Sequence, residues 1–192
     1  MRTLSLSTAV LAALLSTGCV STSNNGSAAD TAAVNAESAK AQTLFAARLQ
    51  PAAGVVTSTQ ADNQVKVSFP GVTAFSHDGA RLSDELQRQL TAVVESLKGI
   101  DYQQVTVLGH TDSSGQLAYN NKLSQQRANQ VMTFLQQQGL TTAQLAAEGR
   151  GPAEPIADNN TAQGRAANRR VELLVRFEND TASPTDAAVS AN

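Results

Sequence analysis

The 192-residue sequence predicts an α+β fold, a two-layer sandwich in which a mixed β-sheet packs against helices. Two observations lead to this prediction. Short segments with the two-residue alternation of half-buried strands occur at both ends of the region 65–177, and longer segments between them have the 3.6-residue period of amphipathic helices. Strands that alternate with helices in this way are typical of one sheet covered by helices.

The predicted elements follow one another in a regular order. Pro70 ends the first strand, Ser83 is the expected N-cap of the first helix of the domain, and Gly99 is its expected stop. Gly139 follows the second, longer helix in the same way. The expected strands lie over 65–69, 105–108 and 171–177, and the expected helices lie over 84–98 and 117–138.

The composition excludes several classes of function. With 14 Lys and Arg against 16 Asp and Glu, the net charge of −2 lacks the positive excess that attracts phosphate backbones, so we expect no nucleic-acid partner. The single Cys cannot form an internal disulfide, and two His with one Cys cannot complete a common structural zinc site. We therefore expect neither a metal nor another cofactor.

The N-terminus has the pattern of a cleaved secretory signal. Arg2 gives a positive start, residues 4–15 are largely apolar, and small residues lead to Cys19. The apolar stretch is too short for a transmembrane helix, which needs about 20 residues; a buried N-terminal helix is the alternative. The expected organisation is a signal peptide over 1–18, a linker with an Ala-rich helix over 19–60, a domain over 61–177 and a disordered tail over 178–192.

Three polar residues interrupt the apolar side of the long helix. Asn120, Ser124 and Arg127 are spaced so that they share this side with residues expected to face the core. A guanidinium in that position must be paired or must face a cleft, because an isolated buried charge costs several kcal/mol. The helix therefore indicates a polar site.

The loop that precedes this helix offers the opposite charge. Asp112 follows a buried strand, and loops at the carboxyl ends of strands are common ligand sites. Asp112 can accept hydrogen bonds from an ammonium group, and Arg127 can bind a carboxylate with two parallel hydrogen bonds. The pair could read a zwitterionic amino-acid head group, or it could be a salt bridge that only fixes the loop to the helix.

Other interpretations of the conspicuous residues are weaker. His110, Asp112 and Ser113 are too close along an extended segment to orient one another as a hydrolase triad. A metal set of His77, His110 and Asp112 is equally weak, and we expect His110 to be packed and satisfied by hydrogen bonds. Residues 149–152 lack the Lys and the helix start of a phosphate loop, so we expect a turn there.

Several separated motifs, in the correct order, resemble the OmpA-like C-terminal domain, the peptidoglycan-binding module also found in Pal lipoproteins and MotB stator proteins. The resemblance covers about residues 65–177. The motifs are Gly109-His110-Thr111-Asp112-x-x-Gly115, Tyr119-Asn120-x-x-Leu123-Ser124-x-x-Arg127-Ala128-x-x-Val131, Gly149-x-Gly151, Pro155-Ile156-Ala157 and Asn168-Arg169-Arg170-Val171-Glu172.

The resemblance implies a binding site and no enzymatic activity. Residues matching Asp112 and Arg127 hold the amino and carboxylate groups of diaminopimelate in the stem peptide of peptidoglycan. Those matching Asn120 and Arg169 belong to the same pocket. Further expected pocket residues are Thr111, Leu123 and Asp78, the last carried over although many relatives have Asp where Ser76 stands.

The residues before Cys19 resemble the lipobox of bacterial lipoproteins, with Ser16 at the position where Leu is preferred. Acylation of Cys19 with palmitate-type chains would anchor the protein, and Val20 after the Cys implies the outer membrane rather than the inner one. The expected function is an outer-membrane lipoprotein that binds the wall from the periplasm. The alternative is an envelope assembly or stress adaptor that docks a protein partner through the Ala-rich segment with Leu44, Phe45 and Leu49.

Overall fold

The computed structural model describes residues 27–50, 54–60, 63–70, 75 and 81–177, with side chains from residue 35 onward. The elements are, in chain order, α1 Ser27–Leu49, β1 Val56–Gln60, β2 Gln64–Pro70, α2 Asp84–Leu97, β3 Gln104–His110, α3 Leu117–Gln137, a 3-10 turn Thr142–Gln144, β4 Leu145–Gly151, α4 Ala162–Asn168 and β5 Arg170–Arg176. None of the described helices is both long enough and apolar enough to cross a membrane.

The five described strands form one mixed sheet in the order β1-β2-β5-β3-β4. Only β3 and β4 are parallel, and the other neighbours are antiparallel. The last strand lies in the middle of the sheet, where Leu173 is paired with Val67 on one side and Val107 on the other. The predicted α+β fold with a mixed sheet is therefore confirmed.

One apolar core joins the sheet to its helices. Alternate residues of β2, β3 and β5 are fully buried, and they cluster with the apolar face of α2 and with buried residues of α1 and α3. The Ser83 side chain accepts a hydrogen bond from the Leu86 amide at 3.1 Å, so the predicted N-cap of α2 is confirmed. The long helix also begins and ends within a residue of its predicted bounds.

The expected Ala-rich helix is present, but it packs on the core, so the described residues 27–49 are part of the folded unit and not of a linker. Helix α1 already begins at Ser27, and its Phe45 and Leu49 side chains are fully buried in the core. The Phe45 ring lies 5.6 Å from that of Phe177, which follows β5. Because these two residues pack internally, they are not available to dock a partner, and Leu44 alone of the expected patch is exposed.

The sequence did not predict β1, β4 or α4. Residues 149–151, expected to be a turn, form the end of β4 and pair in parallel with β3. Four of the seven residues of this strand are Ala or Gly, so it lacks the apolar–polar alternation that identifies a half-buried strand. The predicted signal peptide, Cys19 and the predicted tail over 178–192 lie outside the described residues.

Glycines allow α3 to lie unusually close to β3 and β4. A Cβ atom on Gly109 would lie 2.2 Å from the backbone oxygen of Ser124, and one on Gly149 would lie 2.4 Å from the backbone nitrogen of Gln125. At this short distance the Gln125 side chain forms two hydrogen bonds with β4. Its Nε2 donates to Ala147 O at 3.0 Å, and its Oε1 accepts from Gly149 N at 2.8 Å. The contact fixes the helix that carries Asn120 and Arg127 on the sheet.

Candidate ligand-binding site

The candidate site lies at the carboxyl end of β3, where the chain leaves the sheet for α3. Asp112 is in this connection, Arg127 is almost three turns into α3, and Arg169 stands directly before β5. The three charged groups are close enough to act on one another, since Arg169 and Asp112 both alter the pKa of Arg127. Residues that are far apart in the sequence thus meet where β3 ends and β5 begins, at one end of the central strands.

Asp112 is held in place by two hydrogen bonds. Its Oδ2 accepts from Arg169 Nη1 at 2.6 Å and its Oδ1 accepts from the Ser114 amide at 2.8 Å. Burial alone would raise the pKa of Asp112, but these two hydrogen bonds outweigh burial and lower it below its ordinary value. The carboxylate therefore stays ionised at neutral pH. Its partner is Arg169, so the predicted alternative, a salt bridge between Asp112 and Arg127, is wrong.

Arg127 has no carboxylate partner among the residues that the structure describes. Its guanidinium carbon lies 4.8 Å from the centre of the Phe75 ring, which is a cation–π contact. The side chain is half-buried, and Nε is buried without a hydrogen-bond acceptor. Burial lowers the pKa of Arg127, and the like charge of Arg169 adds to this effect, while Tyr119 and Asp112 oppose it. A bound carboxylate would supply both a hydrogen-bond acceptor and a negative charge for the Arg127 guanidinium.

Asn120 supports the loop rather than the pocket surface. Its side chain is 5% exposed, and its amide nitrogen donates to Ser114 O at 2.8 Å and to Asp112 O at 3.3 Å. Ser124, which is completely buried, accepts from Gly151 N at 3.0 Å and ties α3 to β4. The three polar residues on the apolar side of α3 therefore differ in their roles. Asn120 and Ser124 hold neighbouring backbone in place, whereas Arg127 has a buried Nε without an acceptor in the described part of the chain.

The other predicted pocket residues differ in their surroundings. Thr111 is 5% exposed, its amide donates to Gly151 O at 2.9 Å, and its hydroxyl is buried without a partner within the described part of the chain. Leu123 is half-buried on α3. Asp78 lies outside the described residues.

Two asparagines that sequence reasoning missed brace the site from the other side. Asn168 is completely buried, and its side chain accepts from the amides of Ile156 and Ala157 at 2.8 and 3.0 Å. It also donates to Asn159 Oδ1 at 2.8 Å, and the same oxygen accepts from the Ser113 amide at 3.2 Å. Asn168 directly precedes Arg169 in the motif Asn168-Arg169-Arg170-Val171-Glu172, so its position in the sequence could have indicated that it supports the site.

A buried ionic cluster lies on the sheet below the site. Glu172 Oε1 accepts from Arg170 Nε at 2.7 Å, and both side chains are 5% exposed, so the two form a pair within one strand. Burial would raise the pKa of Glu172, but the adjacent His110 and Arg170 lower it to about 2. Lys66 adds a longer contact of 3.8 Å. The cluster lies next to the site, since Arg170 directly follows Arg169 in the chain.

His110 is buried in this cluster and does not have the environment of a catalytic histidine. It is 1% exposed, and Nε2 lies 3.6 Å from Glu172 Oε2. Neither ring nitrogen has a hydrogen-bond partner in the described part, so the expectation of a packed histidine holds but its expected hydrogen bonds do not. Asp112 faces Arg169 instead of His110. The described residues also contain no group of His, Cys, Asp and Glu side chains arranged to hold a metal.

Comparisons with known proteins agree with the motifs. A model of the OmpA family matches residues 74–169. The probable lipoprotein YiaD of Escherichia coli K12 is 39% identical over 120 residues, which are 62% of this chain and 55% of that protein. The peptidoglycan-binding protein ArfA of Mycobacterium tuberculosis is 38% identical over 125 residues, 65% of this chain and 38% of that protein. The chain thus spans about half the length of these curated relatives, or less.

A solved structure is similar over most of its length. The cell wall anchor of the T6SS from Pseudomonas aeruginosa is 36% identical, with a TM-score of 0.61 over 70% of this chain and 95% of that one. The family match covers half of the 192 residues and includes Asp112, Asn120, Arg127 and Arg169. The resemblance predicted from the motifs is confirmed, and the chain belongs to the OmpA family.

Proposed function

We propose that this protein binds peptidoglycan without a covalent bond, through the diaminopimelate of the stem peptide, and so tethers the outer membrane to the cell wall. The observation that carries the proposal is Arg127, a half-buried guanidinium that lacks a carboxylate partner in the described part of the chain and lies near an ionised Asp112. The OmpA family supports it, as do a relative named a peptidoglycan-binding protein and a similar structure described as a cell wall anchor.

The arrangement suits a guest with both a carboxylate and an ammonium group. Arg127 would bind the carboxylate, and Asp112 would accept from the ammonium, because a carboxylate has about four lone-pair sites and the two hydrogen bonds already made leave room for more. Arg169 would keep Asp112 oriented. With two arginines and one aspartate, the site carries a net positive charge, which favours a guest with an additional carboxylate such as diaminopimelate.

A single stem would bind modestly, and function does not require more. A hydrogen bond to a charged group contributes about 1.5 to 3 kcal/mol. Many anchored copies that face one covalent polymer gain from effective concentration. In this proposal the protein acts as a tether and binder and performs no reaction on the wall.

The proposal predicts that wall binding depends on both charges. The full chain, extracted in mild detergent, should co-sediment with purified sacculi. Arg127→Ala and Asp112→Asn should each weaken this binding about tenfold or more, because each removes one charge-assisted contact. The measurement is the bound fraction as a function of sacculus concentration.

Two substitutions of the same types serve as controls. Arg176 is exposed at the end of β5 away from the site, and Asp101 is exposed in the connection before β3. Arg176→Ala and Asp101→Asn change the net charge by the same amounts and should bind like the parent. If the site variants also co-sediment like the parent, the assignment of the pocket is wrong.

The membrane end of the tether is part of the same proposal. Cleavage before Cys19 and acylation of its thiol would give a stable anchor, since each buried methylene contributes roughly 0.8 kcal/mol. The lipobox-like residues support this, and so does a relative named a probable lipoprotein. Cys19→Ser should remove the acyl mass from the N-terminal peptide and shift the protein out of the outer-membrane fraction, as measured by mass spectrometry and fractionation. Unchanged fractionation without any acyl mass in the parent would contradict the anchor.

A further inference from the structure

One polar side chain beside the candidate site has no role in the function proposed above. Tyr119 lies in the first turn of α3, and its side chain is 63% exposed. Its hydroxyl has no hydrogen-bond partner within the described part of the chain. A phenol hydroxyl can both donate and accept a hydrogen bond, so Tyr119 presents a polar group that a ligand can use.

The helical spacing places Tyr119 in the same row of side chains as Arg127. Tyr119, Leu123 and Arg127 follow one another at intervals of four residues, and residues at this spacing form one ridge along the surface of a helix. Tyr119 is exposed, whereas Leu123 and Arg127 are half-buried. The row therefore runs from solvent into the site, and Tyr119 lies at its open end.

The electrostatics of Arg127 show that Tyr119 belongs to its surroundings. The negative charge of an ionised Tyr119 phenol raises the pKa of Arg127, and this effect is larger than the effects of Arg169 and Asp112. Coulomb interactions weaken with distance, so the phenol oxygen is near the guanidinium. The Phe75 ring also lies against this guanidinium. Arg127 thus has two aromatic neighbours, of which only Tyr119 carries a hydrogen-bonding group.

A carboxylate bound to Arg127 would have lone pairs left for a second donor. A carboxylate and a guanidinium form up to two parallel hydrogen bonds, whereas a carboxylate has about four lone-pair sites. Arg169 Nη1 already donates to Asp112 Oδ2 at 2.6 Å, so that nitrogen is engaged elsewhere. The Tyr119 hydroxyl is neutral, exposed and close to Arg127, and it fits the place of the second donor.

We infer that the Tyr119 hydroxyl donates a hydrogen bond to the ligand carboxylate that Arg127 binds. The inference rests on the proposed function, from which it takes the position of diaminopimelate. Arg127 would supply the positive charge for this carboxylate, and Tyr119 would supply a directional neutral donor. Lysine has no carboxylate at this position. Tyr119 would therefore be a specificity-determining residue that favours diaminopimelate over lysine in the stem peptide.

The test uses Tyr119→Phe, which removes the hydroxyl and keeps the ring. NMR titration of the full chain in mild detergent measures binding of two stem tripeptides, one ending in diaminopimelate and the other in lysine. We expect the substitution to weaken binding of the diaminopimelate tripeptide about fivefold or more, because a hydrogen bond to a charged group is lost. Binding of the lysine tripeptide should not change, whereas a general disturbance of the site would weaken both.

Two further variants make the result specific. In the Arg127→Ala background, Tyr119→Phe should have little additional effect on the diaminopimelate tripeptide, because the carboxylate is no longer held beside the phenol. Tyr102→Phe is the matched control, since Tyr102 is the other tyrosine of the chain and lies in the connection before β3, at the end of that strand away from the site. It should bind both tripeptides like the parent.

The outcomes separate this inference from the proposed function. If Tyr119→Phe binds the diaminopimelate tripeptide like the parent, or if it loses both tripeptides equally, the role of Tyr119 is wrong and the proposed function stands. A full additional loss in the Arg127→Ala background would also overturn the role of Tyr119. If the parent binds neither tripeptide, or binds both equally, the diaminopimelate site itself fails and the role of Tyr119 fails with it.

Discussion

Sacculi with lysine in place of diaminopimelate should bind the protein about tenfold or more weakly, and Arg127→Ala should remove this difference. Lysine and diaminopimelate both end in an ammonium group that can donate a hydrogen bond to Asp112, but lysine lacks the second carboxylate of diaminopimelate. The guanidinium of Arg127, which has no carboxylate partner among the described residues, would therefore interact only with diaminopimelate, and a charge-assisted contact of this kind contributes about 1.5 to 3 kcal/mol. The measurement is co-sedimentation of parent and variants with the two kinds of sacculi.

The aspartate variant gives the opposite pattern and so makes the experiment specific. Asp112→Asn should weaken binding to both walls by a similar factor, because both stems lose the same ammonium contact, and the preference for diaminopimelate should remain. Asparagine keeps the size of the side chain and an acceptor for the Ser114 amide. A loss of preference in Asp112→Asn, with retention in Arg127→Ala, would mean that the two roles have been assigned the wrong way round.

Gly109→Ala should destabilise the fold by about 3 kcal/mol or more, because the added Cβ would lie 2.2 Å from the Ser124 backbone oxygen. A flexible side chain could move aside, but here the obstacle is the backbone of α3. That helix is tied to β4 through Gln125 and Ser124, so it cannot retreat without breaking these hydrogen bonds. Equilibrium unfolding in urea measures the difference.

Gly99→Ala is the matched control for this substitution. A Cβ at Gly99 would meet nothing within 4 Å, although its φ of +68° lies in the left-handed region. The expected cost is therefore only the backbone strain of about 1 to 2 kcal/mol. If Gly109→Ala were as stable as Gly99→Ala, the close contact of α3 with β3 would not exist as described.

The predicted elements succeeded where a side-chain period was present. Strand β2 and helix α2 show regular periods and clear stop signals, and both lie where the sequence placed them. Strand β4 was not predicted because four of its residues are Ala or Gly and show no alternation of apolar and polar side chains. One of these residues, Gly149, lies in close contact with α3. The Ala-rich helix, α1, was expected within a linker because it has few large apolar residues. The burial of Phe45 and Leu49 in the core becomes visible only in the folded structure.

The sequence by itself determined the two opposite charges of the site. Arg127 could be recognised as a buried-side cation from the helical period, and Asp112 as a loop carboxylate after a buried strand. Motifs then linked both to the OmpA family, to which the chain belongs. Both inferences use only the spacing of neighbouring residues along the chain, which can be counted in the sequence itself.

Only the tertiary structure decided which cation pairs with Asp112. Arg169 lies 57 positions further along the chain, and no local pattern relates the two residues. They meet because β5 inserts antiparallel between β2 and β3, so that the start of β5 lies beside the end of β3. Because of this strand pairing, Asp112 binds Arg169, and Arg127 has no carboxylate partner among the described residues. The sequence could not predict this, because the order of strands in a sheet follows from the packing of the whole core and not from any short segment.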